Sequence, residues 1–250
     1  MAKIIILGTA AAVPDENHEN TYMVLVGKNR MVLIDSPGSP FIRMQQCGLD
    51  PNDLTDIILT HFHPDHVSGI PPLLLSLTLC GRNQLLSMYG NQHCISHIEE
   101  MLDIFDWDSW CQFPVKFNVV KEEERQLVLD GDEFRILSSP GRHYVPTLAL
   151  RIENKDTGRV TVYTSDTAPV SEIARLAKNA DLLIHEATGE GAGHSSAKQA
   201  GEQAGKANAK ELLLIHYPVG DFSIEDQIKQ ASQAFKGKIR LAGDFMEIDI

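Results

Sequence analysis

Short apolar runs separated by turn residues predict a chain in which strands and helices alternate. The predicted strands are residues 3–7, 21–26, 31–34, 56–59, 85–89, 115–120, 126–129, 133–138, 147–152, 160–164, 181–185, 211–215, 238–241 and 245–248. The predicted helices are residues 39–47, 68–79, 92–105, 171–178, 195–207 and 224–235. In the second half of the chain, single strands and helices follow one another, and helices in that order can cover both faces of a sheet.

One segment between a buried strand and a helix carries an unusual set of side chains. Residues 60–66 read Thr-His-Phe-His-Pro-Asp-His. Alternate side chains of an extended segment point the same way, so His61 and His63 can bind one cation from one side. Asp65 and His66 are adjacent, so the chain must turn for both to face a second cation, and Pro64 fits such a turn. An isolated histidine is usually solvated or part of a core, but four metal-type ligands at this place predict a metal site.

This segment resembles the HxHxDH signature of the metallo-β-lactamase superfamily, and in particular of its ribonuclease Z branch. The segments 7–9 and 33–38 resemble segments near the start of sequences in the same branch. The resemblance implies an α/β (α+β) fold, an αββα four-layer sandwich in which two mixed sheets face each other, and one domain over 1–250. It also implies that Asp35 lies beside the metals; an ordinary turn aspartate is the alternative interpretation.

Three later residues complete a set of seven ligands according to this resemblance. His143 would join His61 and His63 on one metal, and His216 would join Asp65 and His66 on the other. Asp166 would bridge them, because a carboxylate can span two cations about 3.5–4 Å apart. Each residue follows an apolar run, in the order that the family has. Imidazole and carboxylate without thiolate suit two Zn²⁺ ions, with Mn²⁺ or Fe as alternatives.

The stretches 185–188 and 194–196 resemble the HEAT and His-Ser-Thr motifs of the ribonuclease Z branch. They imply that His194 donates a proton to a phosphate oxygen or holds it, and that Glu186 orients and charges His194. Asp65 would take the proton of the attacking water, which fits the general acid and base that phosphodiester hydrolysis needs. His185 is expected to be structural, because neighbouring strand residues face opposite sides.

Three further residues are candidate substrate contacts: Arg142, Ser195 and His18, the last in the polar loop 10–20. Ser195 has an alternative role as the N-cap of the helix that follows it. His93 and His97 lie one helical turn apart, but without the carboxylate of an H-E-x-x-H motif we expect no metal there.

The sequence departs from the ribonuclease Z pattern where those enzymes bind transfer RNA. Their flexible basic arm usually lies between the third and fourth metal motifs, and here residues 147–162 leave room only for a hairpin that turns at 154–158. The segment 217–221 lacks the expected arginine, and the net charge is -12 with dispersed basic residues. Sequence-independent binding of nucleic acid requires clustered lysine and arginine. The sequence therefore supports the metal centre better than it supports an RNA substrate.

The leading interpretation is a dinuclear zinc-dependent phosphodiesterase resembling ribonuclease Z, in which a hydroxide held by the metals attacks the phosphodiester and a transfer RNA 3′ end is one candidate substrate. The alternative is a metallo-hydrolase for a small molecule, such as a cyclic nucleotide or another compact phosphodiester. A thioester or lactone hydrolase would leave Glu186 and His194 without a role. A non-catalytic metal-binding protein is the third class.

Composition adds expectations about location and assembly. The most apolar stretch, 71–80, is too short to span a membrane, and the N-terminus lacks a secretory pattern, so we expect a cytoplasmic protein without membrane contact. Four scattered cysteines suggest reduced thiols. Helix 68–79 is strongly apolar, which predicts burial in the core or, as a second interpretation, the contact of a homodimer, as the resemblance implies.

Overall fold

The computed structural model describes residues 2–220 and 223–250. The strands are β1 Lys3–Gly8, β2 Tyr22–Val26, β3 Met31–Ile34, β4 Asp56–Ile58, β5 Leu86–Gly90, β6 Val115–Val119, β7 Gln126–Asp130, β8 Phe134–Pro140, β9 Leu148–Asn154, β10 Val160–Tyr163, β11 Leu182–Glu186, β12 Glu211–Ile215, β13 Lys238–Leu241 and β14 Glu247–Asp249. The α-helices are α1 Pro40–Gln46, α2 Pro64–Val67, α3 Ile70–Leu79, α4 Gln92–Ile104, α5 Ser171–Leu176, α6 Ala197–Ala207 and α7 Ile224–Ser232. Short 3-10 turns at Pro51–Asp53 and Trp107–Ser109 were not predicted.

The strands form two seven-stranded mixed sheets. The first has the order β14-β1-β2-β3-β4-β5-β6 and the second β13-β12-β11-β10-β9-β8-β7. In the first sheet, β3, β4, β5 and β6 are parallel to one another, and in the second β10, β11, β12 and β13 are. The remaining neighbours pair antiparallel.

Strand periodicity divides the apolar side chains among three layers. In β1, Ile4 and Ile6 face the core between the sheets, whereas Ile5 and Leu7 pack under the helices of the first sheet. On β12, Leu213 likewise faces the inter-sheet core, and its neighbours pack against the alanine-rich face of α6. The central strands of each sheet are therefore buried on both faces, which explains their apolar runs without polar alternation. The predicted αββα sandwich is confirmed.

Several predicted boundaries shift for local reasons. The predicted helix 68–79 begins at Ile70, with Pro71 in its first turn, and the separate one-turn helix α2 precedes it. The predicted last strand 245–248 is instead Glu247–Asp249, because Phe245 has a left-handed backbone (φ 65°).

The sheets meet where the functional candidates cluster. The carboxyl ends of β3 and β4 approach those of β8, β10, β11 and β12, and Leu148 N donates to Thr60 O across the sheets (3.0 Å). Residues 147–162 form β9, a short turn and the start of β10, with Val160 paired to Glu153. None of the helices in 2–220 and 223–250 is long and apolar enough to cross a bilayer.

Candidate metal centre

Three imidazoles from two elements form the first ligand group. His61 Nε2 lies 3.2 Å from His63 Nδ1, and His143 Nε2 lies 3.1 Å from the same atom. His61 and His63 come from the segment after β4, and His143 follows β8. Three ring nitrogens facing one point is an arrangement that binds a divalent cation such as Zn²⁺.

A second group of three lies beside the first. Asp65 Oδ2 is 3.6 Å from His66 Nε2 and 3.6 Å from His216 Nε2. Asp65 and His66 belong to the one-turn helix α2, which begins at Pro64. The turn expected at this proline is thus helical, and it aims two adjacent side chains at one point with His216 from the end of β12.

Asp166 lies between the two groups, with one oxygen toward each. Its Oδ1 is 3.7 Å from His66 Nε2 and 3.4 Å from His216 Nε2, whereas its Oδ2 is 3.8 Å from His143 Nε2. The two oxygens of one carboxylate therefore face different ligand groups. This is the placement that a carboxylate bridging two cations requires.

The polar atoms of the second group fit a bound cation. His66 Nε2, His216 Nε2 and Asp166 Oδ1 are all buried, and none has a hydrogen-bond partner in the described part of the chain. Buried polar atoms without partners carry a free-energy cost of roughly 1–3 kcal/mol each. A divalent cation in contact with all three would remove that cost, so the donor set fits the metals that the sequence predicts.

The second ring nitrogen of each candidate ligand histidine outside the 61–63 pair is held by a neighbour. His66 Nδ1 lies 2.9 Å from Asp35 Oδ2, and His216 Nδ1 lies 2.8 Å from Thr188 Oγ1. His143 Nδ1 lies 2.8 Å from the carbonyl oxygen of residue 193. Such contacts fix ring orientation and tautomer, and they leave Nε2 free for a metal.

Asp35 has no exposure to solvent and is more than a turn residue. Its Oδ1 accepts from Thr60 N (2.8 Å), and its Oδ2 accepts from Thr60 Oγ1 (2.9 Å) and faces His66. The carboxylate therefore ties the end of β3 to the segment that carries the histidines. Thr60 and Thr188 were not singled out by sequence reasoning; a hydroxyl next to a predicted ligand was the available signal.

Three residues at strand ends adopt the left-handed conformation. Asp35, Ser165 and His216 have φ values of 61°, 51° and 51°. Such a backbone costs roughly 1–3 kcal/mol for a residue other than glycine. It turns the chain sharply after β3, β10 and β12 and brings the side chains of Asp166 and His216 over the sheet edge.

Burial sets the charge state of the first group. It lowers the pKa of His61 well below the ordinary value, and neighbouring imidazoles add to the effect. Burial also lowers the pKa values of His63 and His143. Neutral imidazoles are the form that binds metal. In the second group burial opposes charge, but Asp166 and Asp35 together raise the pKa of His66 well above its ordinary value.

Glu186 and His194 form a pair beside Asp166. His194 Nδ1 lies 3.2 Å from Glu186 Oε1 and 3.9 Å from Asp166 Oδ2. Burial lowers the pKa of His194, but the carboxylates of Glu186, Asp166 and Asp65, with Glu186 contributing most, together raise it above its ordinary value. His185 points elsewhere: it is buried, and its Nδ1 contacts the Glu186 carbonyl oxygen (2.8 Å).

The candidate substrate contacts have different outcomes. Ser195 is fully buried and its hydroxyl donates to Thr167 O (2.7 Å), so the prediction that it touches substrate is wrong. The predicted N-cap role is wrong too, because Ser196 caps α6 in a capping box with Gln199.

Arg142 is exposed and lines a cleft of about 300 Å³ that shares His143 and Tyr144 with the cavity over the metal groups. His18 contacts Asp15 Oδ1 (2.8 Å) and is not among the residues that line the cavity over the metal groups.

That cavity has a volume of about 430 Å³. Its polar lining is formed by His63, Asp65, His143, Asp166, Thr188, His194 and His216. Its apolar lining is formed by Ala11, Ala12, Val13, Tyr144, Pro218 and Val219. The sequence did not predict this apolar lining. Most of it comes from residues 11–13 and 218–219, which are about 200 positions apart, and no periodic pattern marks either segment.

Comparison with known proteins agrees with this geometry. A family model described as the beta-lactamase superfamily domain matches residues 30–217. The chain belongs to the metallo-β-lactamase superfamily. Within the superfamily it is a ribonuclease Z-like, metal-dependent hydrolase.

Three individual proteins illustrate the relationship. A ribonuclease Z of Methanothermobacter thermautotrophicus is 27% identical to this chain, in an alignment that covers 100% of this chain and 97% of the relative. The metallo-beta-lactamase fold protein YhfI from Bacillus subtilis superimposes with a TM-score of 0.84 at 25% identity, covering 99% and 98% of the two chains. The short form of human tRNase Z superimposes with a TM-score of 0.79 at 24% identity, covering 99% of each chain.

Proposed function

We propose that the protein is a dinuclear, zinc-dependent phosphodiesterase of ribonuclease Z type, and that residues 1–250 act as one catalytic domain. The observation that carries this proposal is the placement of Asp166, whose two oxygens face two separate groups of three ligands. Glu186 and His194 beside that bridge support phosphodiester chemistry over carbonyl hydrolysis, because they offer a positioned acid for an alkoxide leaving group.

Each group of residues then has one task. Two divalent cations bound at these seven side chains would acidify a water molecule and neutralise charge on the phosphate oxygens. Asp65, which lines the cavity, accepts the proton of the attacking water. His194 presents Nε2 to the substrate, because its Nδ1 faces Glu186. From Nε2 it donates a proton to the leaving oxygen.

Glu186 is a positioning residue in this scheme. Its Oε1 accepts hydrogen bonds from Thr167 N (2.9 Å) and Ser195 N (3.1 Å), and its Oε2 accepts from Thr188 N (3.0 Å). One buried carboxylate thus holds the segments before and after His194 and the residue that follows Asp166. The same carboxylate keeps the His194 imidazole oriented and favours its charged form.

Relatives named ribonuclease Z and tRNase Z make the 3′ end of precursor transfer RNA one candidate substrate. A compact phosphodiester is the second candidate. The cavity volume of about 430 Å³ and the short turn between β9 and β10 favour the compact candidate. Mn²⁺ or Fe in place of Zn²⁺ is compatible with the same donor set.

Hydrolysis of a chromogenic phosphodiester by zinc-loaded protein tests the proposal. We expect turnover that stops when a chelator removes the metal and returns when Zn²⁺ is added. Metal analysis of the same sample should give two ions per chain. Absence of chelator-sensitive turnover, with two metals bound, would overturn the phosphodiesterase assignment. Assays of precursor transfer RNA and cyclic nucleotides in parallel separate the two substrate candidates.

Cytoplasmic location and homodimer formation stay predictions. On α3, Leu74 and Leu77 are buried in the core, whereas Leu75 and Leu79 are exposed and could form the proposed contact between copies. Sedimentation of the wild type and of a Leu79→Ser variant tests this: we expect a dimer for the former and a weakened one for the latter.

A further inference from the structure

The cavity over the metal groups is lined by both candidate metal ligands and exposed apolar side chains. Val13 and Tyr144 are 76% and 67% exposed, although both are large apolar side chains at the rim. Ala11, Ala12, Pro218 and Val219 also line the cavity, and their two loops adjoin, since Ala11 N donates to Tyr217 O (3.0 Å). Exposed apolar residues that adjoin one another commonly mark a binding surface.

The same lining contains no lysine or arginine among the described residues. A metal pair can neutralise the phosphate being cleaved, but a second phosphate a few ångströms away would find no lysine or arginine in the described lining of this cavity. Polyanions bind proteins mainly through lysine and arginine contacts to their phosphates. With a net charge of -12, the chain as a whole would also repel an RNA at long range.

The size of the chain points the same way. Its alignment with the ribonuclease Z of Methanothermobacter thermautotrophicus runs over 305 positions and covers all 250 residues of this chain, so the relative has segments that this chain lacks. A pocket of about 430 Å³ lies at the lower end of the range of about 300–1,000 Å³ found for small-molecule sites.

We propose that the substrate is a compact phosphodiester with a single negative charge, in which an uncharged aromatic or apolar group packs between Val13 and Tyr144. This proposal rests on the proposed function and adds the substrate class. The Tyr144 ring lies 5.1 Å from the ring of His143 and 6.0 Å from that of His194, centroid to centroid. A planar group placed against Tyr144 therefore lies next to both the first ligand group and the proposed proton donor.

Steady-state kinetics of zinc-loaded variants test the proposal with two diesters that share a leaving group: bis(p-nitrophenyl) phosphate and methyl p-nitrophenyl phosphate. Tyr144→Ala should raise the KM for the bis-aryl ester about tenfold with little change in kcat, because an aromatic contact contributes to binding. Tyr144→Phe keeps the ring and should keep the KM. Val13→Ser should raise the KM in the same sense, and the matched control Ile104→Ser, at an equally exposed apolar residue on α4, should not.

A second arm uses precursor transfer RNA with a 3′ trailer. We expect it to be cleaved poorly and to inhibit bis-aryl ester hydrolysis weakly at micromolar concentration. Efficient trailer removal with wild-type kinetics in Tyr144→Ala would overturn this proposal and leave the phosphodiesterase assignment intact. An unchanged KM for both esters in Tyr144→Ala and Val13→Ser would also overturn it. Absence of metal-dependent turnover of every diester would overturn both proposals together.

Discussion

Glu186 Oε1 lies 3.2 Å from His194 Nδ1, eight residues away along the chain. The strand residue before it, His185, faces the opposite side, so β11 delivers only the carboxylate to the site. The loop between them returns to Glu186 because the carboxylate also accepts from the amide of Ser195. One buried acidic group thus determines where the candidate proton donor lies.

His194→Ala should lose most phosphodiesterase turnover and keep its metal. General acid catalysis contributes about 10²–10⁴-fold to rate, and His194 is not one of the seven candidate metal ligands. The measurements are kcat on an alkyl phosphodiester and the zinc content per chain. Wild-type kcat in a variant with normal zinc content would refute the proton-donor role.

Glu186→Gln should lower kcat and also destabilise the fold. An amide has one oxygen, so its nitrogen would face either the Thr188 N–H or the donors near Oε1. A donor left without an acceptor in a buried place costs about 1–3 kcal/mol. Thermal unfolding and kcat of the variant test this, with Glu172→Gln, at a partly exposed carboxylate on α5, as the control. An unchanged unfolding midpoint would show that Glu186 does not hold these segments.

Asp35→Asn should weaken metal binding without removing any ligand. In one orientation of the new amide, its nitrogen replaces the oxygen that faces His66 Nδ1. In the other, its nitrogen faces Thr60 N, which loses its acceptor. Loss of such an orienting contact typically lowers metal affinity 10–100-fold. Zinc transfer to a chelator of known affinity measures the change. Asp56→Asn, which weakens a partly buried pair with Arg30 away from the site, is the control and should keep zinc affinity.

The sequence predicted the central strands well because they are buried on both faces of each sheet. Ile4–Leu7 and Leu212–Ile215 are apolar at every position, and each belongs to a strand. The seven candidate ligands could be selected for a related reason, since each follows such a strand, and the structure brings all seven together. The carboxyl ends of parallel strands meet at one edge of a sandwich, and this does not depend on the conformation of the loops.

Contacts between distant loops could not be predicted in the same way. Arg43 pairs with Asp244 across the fold, and β14 joins β1 although nearly the whole chain separates them. The error at Ser195 has a similar origin, because its hydroxyl is directed inward by the amide contact to Glu186 rather than by helix capping. The apolar rim depends on loops with no periodicity.

Zinc should stabilise the fold. In the metal-free protein, buried Nε2 atoms of His66 and His216 lack hydrogen-bond partners in the described part of the chain. A ligand that binds only the folded state adds about 2.7 kcal/mol at a concentration 100 times its Kd. Thermal unfolding after chelation, with and without added Zn²⁺, should show a higher midpoint with zinc. Mg²⁺, which prefers oxygen ligands in octahedral geometry, should give little rise. Equal midpoints with and without Zn²⁺ would count against this metal centre.

Gly193→Ala should impair the first ligand group. The residue has φ of 93°, and a Cβ added there would lie 3.0 Å from His143 Nδ1 and 3.3 Å from His143 Cα. The methyl group would therefore push on the imidazole that the carbonyl of the same residue orients. We expect a lower zinc content and a lower kcat. Circular dichroism should show that the variant is as fully folded as the wild type.

Gly189→Ala supplies the matched control, because it changes the same loop at a positive φ of 138° but places its Cβ within 4 Å of no described atom outside its immediate neighbours. Backbone strain is present in both variants, and the contact with His143 is present in one. Gly193→Ala should consequently lose zinc more readily than Gly189→Ala. Equal zinc loss in the two variants would assign the effect to loop strain and remove Gly193 from the set of residues that orient the ligands.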